Sequence, residues 1–448
     1  LGKGGARAPD ALAGGTLTGM TGAVIEPAAI LQRKVTLKPG ESRTVRFFTG
    51  LANDEAAARA TIAKYRGLAT KGLEGSRREA VLAAENEILA AGIAPKNRAK
   101  WASVRSQLLY PLPRNVSQES APRTGRPSIA WRVSSENEIP DALELISLQP
   151  SWREKGTPAD VVFLLDIADA SEKQRVRTAL EAATTRMLPG WNRTRIEGVS
   201  VLDAAEAAGL ESKASVLLGV TPAPSIATAS PRREQASKRE PGTGPLFEFD
   251  SAKNEVVIFR PRDVPGVWSH VLANGYGTLK NGKVPDDGGP QYALLLTQNG
   301  GGFAARWDAQ GNRTTGFTAD PSADAPAMAF HLRDLETGKH FSLTAGADAA
   351  GEAEHKVRFG QEGYAVFEAA QKEAGLKASL TAFVPPDSPV AYLVIDVENL
   401  NEGPRRLDLT CLVDLALGEG PKQANRAVIV SRDPATGALL ARNPDGKF

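Results

Sequence analysis

The stretch Gln291-Tyr-Ala-Leu-Leu-Leu-Thr-Gln-Asn-Gly-Gly-Gly-Phe-Ala-Ala-Arg-Trp307 decides how the C-terminal half of the chain folds. An apolar strand runs from Tyr292 to Leu296, breaks at Asn299 and three glycines, and restarts at Phe303 toward Arg306 and Trp307. Gly300, Gly301 and Gly302 admit positive φ and let a second backbone or a ligand come close. Two readings follow. One is a glycine-rich hairpin turn with an aromatic at the strand restart. The other is a carbohydrate-facing loop made of Asn299, Gly300, Gly301, Gly302, Phe303, Arg306 and Trp307, because sugars are held by aromatic faces and fixed polar groups.

The same pattern extends on both sides. Between 246 and 448, strands are expected at 256–259, 292–296, 303–307, 327–334, 365–368, 376–383, 390–399, 406–417, 428–431 and 438–441. Turn signals separate them, among them Asn281-Gly282, Pro385-Pro386 and Glu402-Gly-Pro404. Many short strands at this spacing imply a large antiparallel β-sandwich. Arg333-Asp-Leu-Glu-Thr-Gly338 and Arg432-Asp-Pro-Ala-Thr-Gly437 share one pattern and read as two strand–turn–strand units.

Upstream, 221–245 is rich in Pro, Ser and charge and reads as a linker. Residues 114–220 read as a small α/β module. Its strands are expected at 129–133, 160–166, 199–202 and 214–220, with helices at 139–152, 171–188 and 203–208. No G-x-G-x-x-G or Walker pattern follows any of these strands, so no nucleotide site is assigned. Asp166 and Asp169 stand at a strand's C-terminal end, where α/β sites form, but acids there more often cap helices or face solvent. Residues 53–113 read as linker helices. Asn53 is the expected N-cap of the first, Ser76-Arg-Arg-Glu79 a capping box, and Trp101, Val104, Leu108 and Leu109 a packed stripe. Residues 1–52 hold two strands around Pro39-Gly40, which need a sheet or helix to cover them. They are expected to be the end of a preceding sandwich module, in a chain that is part of something longer. The fold class is thus α+β and multi-domain, with a large C-terminal sandwich preceded by linker helices and a small α/β layer.

Composition narrows the function. The 448 residues suggest roughly two to four domains. The net charge of +2 gives no pull toward nucleic acid or a charged membrane surface. Cys411 is the single cysteine, so neither an intrachain disulfide framework nor a Cys-based zinc site is available. His270, His331, His340 and His355 are scattered, without metal-ligand spacing. No metal and no cofactor is expected, and no apolar run is long enough to span a bilayer.

Several motifs in combination carry a family resemblance. Val267-Trp-Ser-His-Val-Leu-Ala-Asn274 with Gly275-Tyr-Gly277, Leu295 to Phe303 with Arg306-Trp307, and Phe330-His-Leu-Arg-Asp334 with Gly338 all contribute. So do Thr381-Ala-Phe-Val-Pro385, Val397-Glu-Asn399, Pro404-Arg-Arg406, Ser431-Arg-Asp433 and Gly437-Ala-Leu-Leu-Ala-Arg-Asn-Pro444. Together they resemble the N-terminal sandwich of the inverting glycoside phosphorylases, glycoside hydrolase family 94, which includes cellobiose and chitobiose phosphorylases. The phosphorylase-like modules of cyclic β-1,2-glucan synthase are similar in the same way. Thr21-Gly-Ala-Val-Ile-Glu-Pro27 and Leu37-Lys-Pro-Gly40 resemble a sandwich's final strands. Arg105-Ser-Gln-Leu-Leu-Tyr-Pro111 resembles the linker helices, and Trp152-Arg-Glu-Lys-Gly156 with Val161 to Leu165 resembles the α/β insertion.

The resemblance implies inverting phosphorolysis or glucan chain-length control on β-linked glucosides. Such chemistry needs a carboxylic acid to protonate the leaving oxygen and a held phosphate. The family places its aspartate acid in an (α/α)6 barrel, whose acidic motif is found nowhere in these residues. The family's Gly-Ile-Ser-Gly-Asp motif after the linker helices is missing, and Ser128-Ile-Ala-Trp-Arg132 stands nearby instead. No catalytic residue is therefore carried over, and whether the chain alone is an enzyme stays open, with inactivity expected. His331 and His340 are strand-face or turn residues rather than phosphate ligands. The expected partner is a β-glucan or glucoside oligosaccharide, with inorganic phosphate only if the barrel is present. Localisation is expected to be cytoplasmic, with attachment of the parent protein to a bacterial inner membrane left open. A non-catalytic carbohydrate-binding protein or a structural scaffold is the alternative.

Overall fold

The computed structural model describes residues 9–67, 72–79, 92–108, 128–154, 159–187, 198–219, 244–274, 292–306, 313–315, 326–418 and 428–444, interrupted by short gaps. All but the last residue of 114–128, a polar, turn-rich stretch expected to be a loop, lies outside the described residues, as do most of the linker at 221–245, the Asn281-Gly282 turn and Trp307. The chain forms two compact units, one of residues 1–83, 241–250 and 255–448, the other of 84–240 and 251–254.

The first unit opens with β1 (Gly22–Ala23), β2 (Ala28–Leu37), β3 (Ser42–Gly50) and α1 (Glu55–Arg66). The second unit holds β4 (Ser128–Val133), α2 (Ile139–Glu154), β5 (Asp160–Leu165), α3 (Ala170–Met187), β6 (Val199–Asp203), α4 (Leu210–Lys213) and β7 (Val216–Leu218). The chain then re-enters the first unit with β8 (Phe247–Asp250), β9 (Glu255–Ile258), β10 (Ser269–Ala273), β11 (Tyr292–Thr297), β12 (Gly302–Arg306), β13 (Arg313–Thr315), β14 (Met328–Asp334) and β15 (His340–Ser342). It continues through β16 (Glu354–Gly360), β17 (Tyr364–Gln371), β18 (Leu376–Phe383), β19 (Val390–Asn399), β20 (Arg405–Gly418), β21 (Ile429–Arg432) and β22 (Leu439–Arg442).

Among the described residues, the first unit contains two large antiparallel sheets. One has eight strands, ordered β10-β11-β12-β13-β20-β14-β15 with β2 also on β20; the other has seven, ordered β3-β19-β18-β17-β16-β9-β8. The sheets pack face to face. Phe47 meets Phe330 at 6.4 Å, His270 stacks on Phe359 at 5.2 Å, and Phe247 meets the Trp268 ring edge-on at 4.7 Å. Strand alternation supplies this core. Leu393, Ile395 and Val397 of β19, and Leu407, Leu409 and Cys411 of β20, are all buried. A small third sheet, β1-β21-β22, completes the unit.

Residues 1–52 do not stand apart as the end of another sandwich. All ten residues of β2 pair with β20, and all nine of β3 pair with β19. The turn between them is tied to the same partner strand: Gly40 N–H donates to Asn399 O (2.9 Å), and Asn399 N–H donates to Glu41 O (3.1 Å). The pattern of a strand reports which face is buried but not which strand lies beside it, so the discontinuity was not visible in the sequence.

The outer face of the seven-stranded sheet carries a register row of aromatics, Phe48, Tyr392, Phe383 and Tyr364, across four strands. Phe383 and Tyr392 stack at 5.0 Å, and Tyr65 of α1 meets Tyr392 edge-on at 5.3 Å. The Tyr65 hydroxyl reaches Ser388. Hence α1 belongs to the sandwich rather than to a separate group of linker helices. Its N-cap is Asp54, not Asn53; the Asp54 carboxylate accepts from Ala57 N–H at 2.8 Å. Residues 74 and 75 are already helical, so Ser76 does not open that helix.

The second unit is a parallel sheet ordered β6-β5-β4-β7. One face is covered by α2 and α3 together with Trp101, Val104 and Leu108, which pack in its core as the stripe implied. The expected helix at 203–208 is not formed at its start: Asp203 ends β6, a turn follows at 204–205, and α4 begins at Leu210.

Candidate functional site

The glycine element is a tight hairpin whose tip is buried. Gly300 N–H donates to Thr297 O (2.9 Å), Gly301 N–H to the Thr297 hydroxyl (2.8 Å), and Thr297 N–H to Gly301 O (3.0 Å). Gln298 extends the strand: its N–H donates to Trp268 O and its side-chain oxygen accepts from Trp268 N–H at 2.8 Å. Gln298 and Asn299 are 1% and 8% exposed, and Gly300 and Gly301 are buried with them.

The glycines have packing reasons. Gly300 (φ 82°) and Gly302 (φ 113°) take positive φ. A Cβ on Gly300 would overlap the Thr344 side chain, and one on Gly302 would overlap the Leu295 carbonyl. Gly346 donates its N–H to Asn299 O at 2.7 Å. What the element shows outward is Phe303, partly exposed, with the Arg313 guanidinium 4.0 Å above its ring. Burial lowers the pKa of Arg313. Arg306 pairs with Tyr292 through its backbone.

The segment under the glycines is fixed by a buried polar lock that the sequence did not reveal. Arg262 donates to Ala345 O (2.7 Å) and Asp348 O (2.5 Å), and lies 3.5 Å from the Asp348 carboxylate. His355 Nε2 lies 3.2 Å from the same carboxylate, which also accepts from Ala353 N–H at 3.3 Å. Burial alone raises the Asp348 carboxyl; the His355 hydrogen bond and charge, the Ala353 N–H and Arg262 outweigh it and hold it below the usual range. Asp348 and His355 lie close together in the chain, but Arg262 reaches them from far upstream, so no contiguous motif links the three.

The remaining candidates have structural roles. His270 is a core residue stacked on Phe359. His331 and His340 lie on β14 and β15 with rings 6.4 Å apart. Asp166 pairs with Arg132 at 2.8 Å, and Asp169 caps α3 by accepting from Glu172 N–H at 2.7 Å. Cys411 is buried and its thiol is pushed up to about 12, so it is not a nucleophile at neutral pH. Among the described residues no group of three His, Cys, Asp or Glu is arranged to hold a metal ion, and no helix is long and apolar enough to cross a membrane.

The two Arg-Asp-x-x-Thr-Gly stretches fold alike. Asp334 accepts from Glu336 and Thr337 N–H (2.8 and 3.1 Å) and from Arg405 (2.9 Å). Asp433 accepts from Thr436 N–H (3.1 Å) and hydroxyl and from Arg59 of α1. Both turns close on a left-handed glycine, Gly338 (φ 71°) and Gly437 (φ 69°).

Fold and site define a large antiparallel sandwich, closed by strands from both ends of the chain, with a separate parallel α/β unit. The chain belongs to the glycosyl hydrolase 94 supersandwich domain family: that family's model matches residues 1–68 and 288–447, just over half the chain. The two matched pieces carry β1–β3 and β11–β22, which the structure joins into one sandwich. The chain is 30% identical over 161 residues to an N,N'-diacetylchitobiose phosphorylase of Vibrio furnissii, covering 36% of this chain and 18% of that protein. It is 26% identical over 170 residues to the Vibrio proteolyticus protein of the same name, covering 38% and 19%. A cyclic beta-(1,2)-glucan synthase of Rhizobium meliloti is 21% identical over 483 residues, covering 96% of this chain and 16% of that protein. The chain thus spans less than a fifth of the length of these curated relatives. It is a member of a family of carbohydrate-active enzymes.

Proposed function

We propose that this chain is the sandwich-and-connector part of a carbohydrate-active enzyme resembling cyclic β-1,2-glucan synthase. In this reading it supports glucan phosphorolysis or chain-length control, with a β-glucan or glucoside oligosaccharide as partner. The acid and the phosphate site belong to a catalytic barrel that these residues do not supply. One observation carries the reading: the likeness to the glucan synthase runs along 96% of the chain, through the α/β unit as well as the sandwich. The sugar-proximal edge is the 299–307 element. Because its tip is packed against Thr344 and Gly346, the part available to a sugar is the strand restart at Phe303 with Arg313. The setting in this reading is cytoplasmic.

Calorimetric titration with β-1,2-linked gluco-oligosaccharides tests this. Heat is expected for the wild-type chain, reduced in Phe303→Ala and Trp307→Ala. Absence of heat, or equal affinity in both variants, rejects a sugar contact at this element. Incubation with glucan and phosphate is expected to release no glucose 1-phosphate; release would overturn the placement of the catalytic centre elsewhere.

A further inference from the structure

Among the described residues, one long strand edge of the sandwich is left open. β10 ends the eight-stranded sheet and pairs with β11 alone, in unbroken register from Ser269 to Ala273. Gln298 N–H donates to Trp268 O at 3.0 Å, and Asn274 N–H donates to Tyr292 O at 3.1 Å. Bonded positions alternate along an antiparallel strand. His270 and Leu272 therefore turn their backbone groups toward β11, and Ser269, Val271 and Ala273 turn theirs toward the open edge. No second strand meets these three among the described residues. Trp268, His270 and Leu272 are buried toward the other sheet, whereas Val267 and Val271 share the outer face and are 36% and 39% exposed.

An edge strand is a template for further pairing, and proteins block such edges with charge, proline, bulges or shortness. The other edges of the two large sheets carry these devices. β2 has Arg33 and Lys34, β3 has Arg43 and Arg46, β8 has Glu248 and Asp250, and β15 is only three residues long. Val267-Trp-Ser-His-Val-Leu-Ala273 has none of them: no Asp, Glu, Lys, Arg, Pro or Gly stands in it. Its one titratable side chain, His270, is turned inward against Phe359.

The open backbone groups are symmetric about Val271. An antiparallel copy of the same strand, related by a two-fold axis at Val271, pairs Ser269 with Ala273, Val271 with Val271, and Ala273 with Ser269. Each of these pairs exchanges two hydrogen bonds, so every open N–H and C=O of Ser269, Val271 and Ala273 is satisfied. No like charges meet, and the two exposed Val271 side chains come together on the outer face. We propose that β10 is a dimerisation edge, pairing with β10 of a second copy of this chain so that the two eight-stranded sheets run on as one. Such an interface is isologous and closes on itself. It is independent of the oligosaccharide reading. A strand pair of this length lies at the low end of interface size, below the roughly 1,200–2,000 Å² of stable complexes, so association depends on concentration.

The test is sedimentation velocity of the full chain from about 1 µM to about 500 µM, where weak interfaces populate. The mass is expected to rise toward that of a dimer and no further. Val271→Lys sets two like charges opposite each other at the axis. It is expected to weaken association at least about tenfold, with the urea midpoint unchanged because the side chain is exposed. Val271→Cys tests the register, since residues opposite each other in a bonded pair have Cα atoms about 5.5 Å apart, within disulfide range. Under mild oxidation it is expected to cross-link to a dimer much faster than Leu400→Cys, whose thiol stands on the exposed turn between β19 and β20. Cys411 is buried and does not compete. A chain that stays monomeric over the whole range overturns the proposal. So does a dimer indifferent to Val271→Lys, equal cross-linking by the two cysteine variants, or growth beyond the dimer. Where the lysine variant is destabilised, the cross-linking comparison decides.

Discussion

Phe47 and Phe330 meet across the sandwich with ring centroids 6.4 Å apart, one on β3 near the start of the chain and the other on β14. Each sits in a register row: Phe47 beside Leu393, and Phe330 beside Cys411 and, through it, Leu31. The first strands of the chain are therefore core elements of a sandwich whose other strands follow the α/β unit. This accounts for the two-piece match to the family model.

Truncating Phe47 removes a buried aromatic where the two sheets meet. Phe47→Ala is expected to lower unfolding free energy by about 3–5 kcal/mol. Urea titration followed by tryptophan fluorescence reads this. A change below about 1 kcal/mol would mean that β3 is peripheral to the fold.

The glycines at 300 and 302 differ in what they meet. At Gly302 an added Cβ overlaps the Leu295 carbonyl, which is fixed by the ladder; at Gly300 it overlaps Thr344. Gly302→Ala is expected to cost about 2–4 kcal/mol and to resist rescue. Gly300→Ala is expected to be partly rescued by Thr344→Gly but not by Thr344→Ala, because the overlap includes the Thr344 Cβ. A double-mutant cycle with no coupling would contradict the packing account.

Most of the strands were legible in the sequence. β18 and β19 fall at the expected boundaries, because the alternation of β18 and the apolar run of β19 are bracketed by turn residues. β13 and β15 are three residues each, too short to show a period, and β16 reads Glu-His-Lys-Val-Arg-Phe-Gly with charge on its outward side. The glycine stretch was recognised, but glycine is required equally by an approaching ligand and an approaching protein backbone. Thr344 and Leu295 decide in favour of packing at the tip. The lock of Arg262, Asp348 and His355 left no local signal, since Arg262 joins the other two only when the sandwich closes.

That lock has a pH consequence. The Asp348 carboxyl is held below its ordinary value. A group depressed in the folded state contributes stability that is present above its unfolded value, about 3.9, and is lost as pH falls through the folded value. Asp348→Asn is expected to lower stability at pH 7 and to lose part of the wild-type's decline below about pH 4. Urea midpoints across pH 3–7 measure this; identical acid limbs in both proteins would reject the lock.

The twin turns predict a matched pair of effects. Asp334 accepts two backbone N–H groups and an Arg405 bond while 3% exposed. Asp334→Ala is expected to cost about 2–4 kcal/mol. Asp433→Ala is expected to loosen the β21–β22 hairpin on α1, because it removes the Arg59 contact and leaves only Arg66 on the Thr436 carbonyl. Amide exchange should then rise at 429–442 with β14 and β15 unaffected. Uniform loss of protection would refute this local role.

The closure of both sheets by β2 and β3 leads to a final expectation about covalent continuity. Sheet pairing along ten residues of β2 and nine of β3, with Leu37 and Phe47 in the core, is non-covalent and independent of the 221–245 stretch. The test is to place a protease site in that Pro/Ser-rich stretch and treat the folded chain with the protease. The N-terminal piece, carrying β1–β3, α1 and the α/β unit, is expected to stay bound to the C-terminal piece through gel filtration. It is expected to separate only at urea concentrations that unfold the sandwich. Dissociation in native buffer would show that β2 and β3 do not close the sheets, and the placement of residues 1–52 in this sandwich would fall with it.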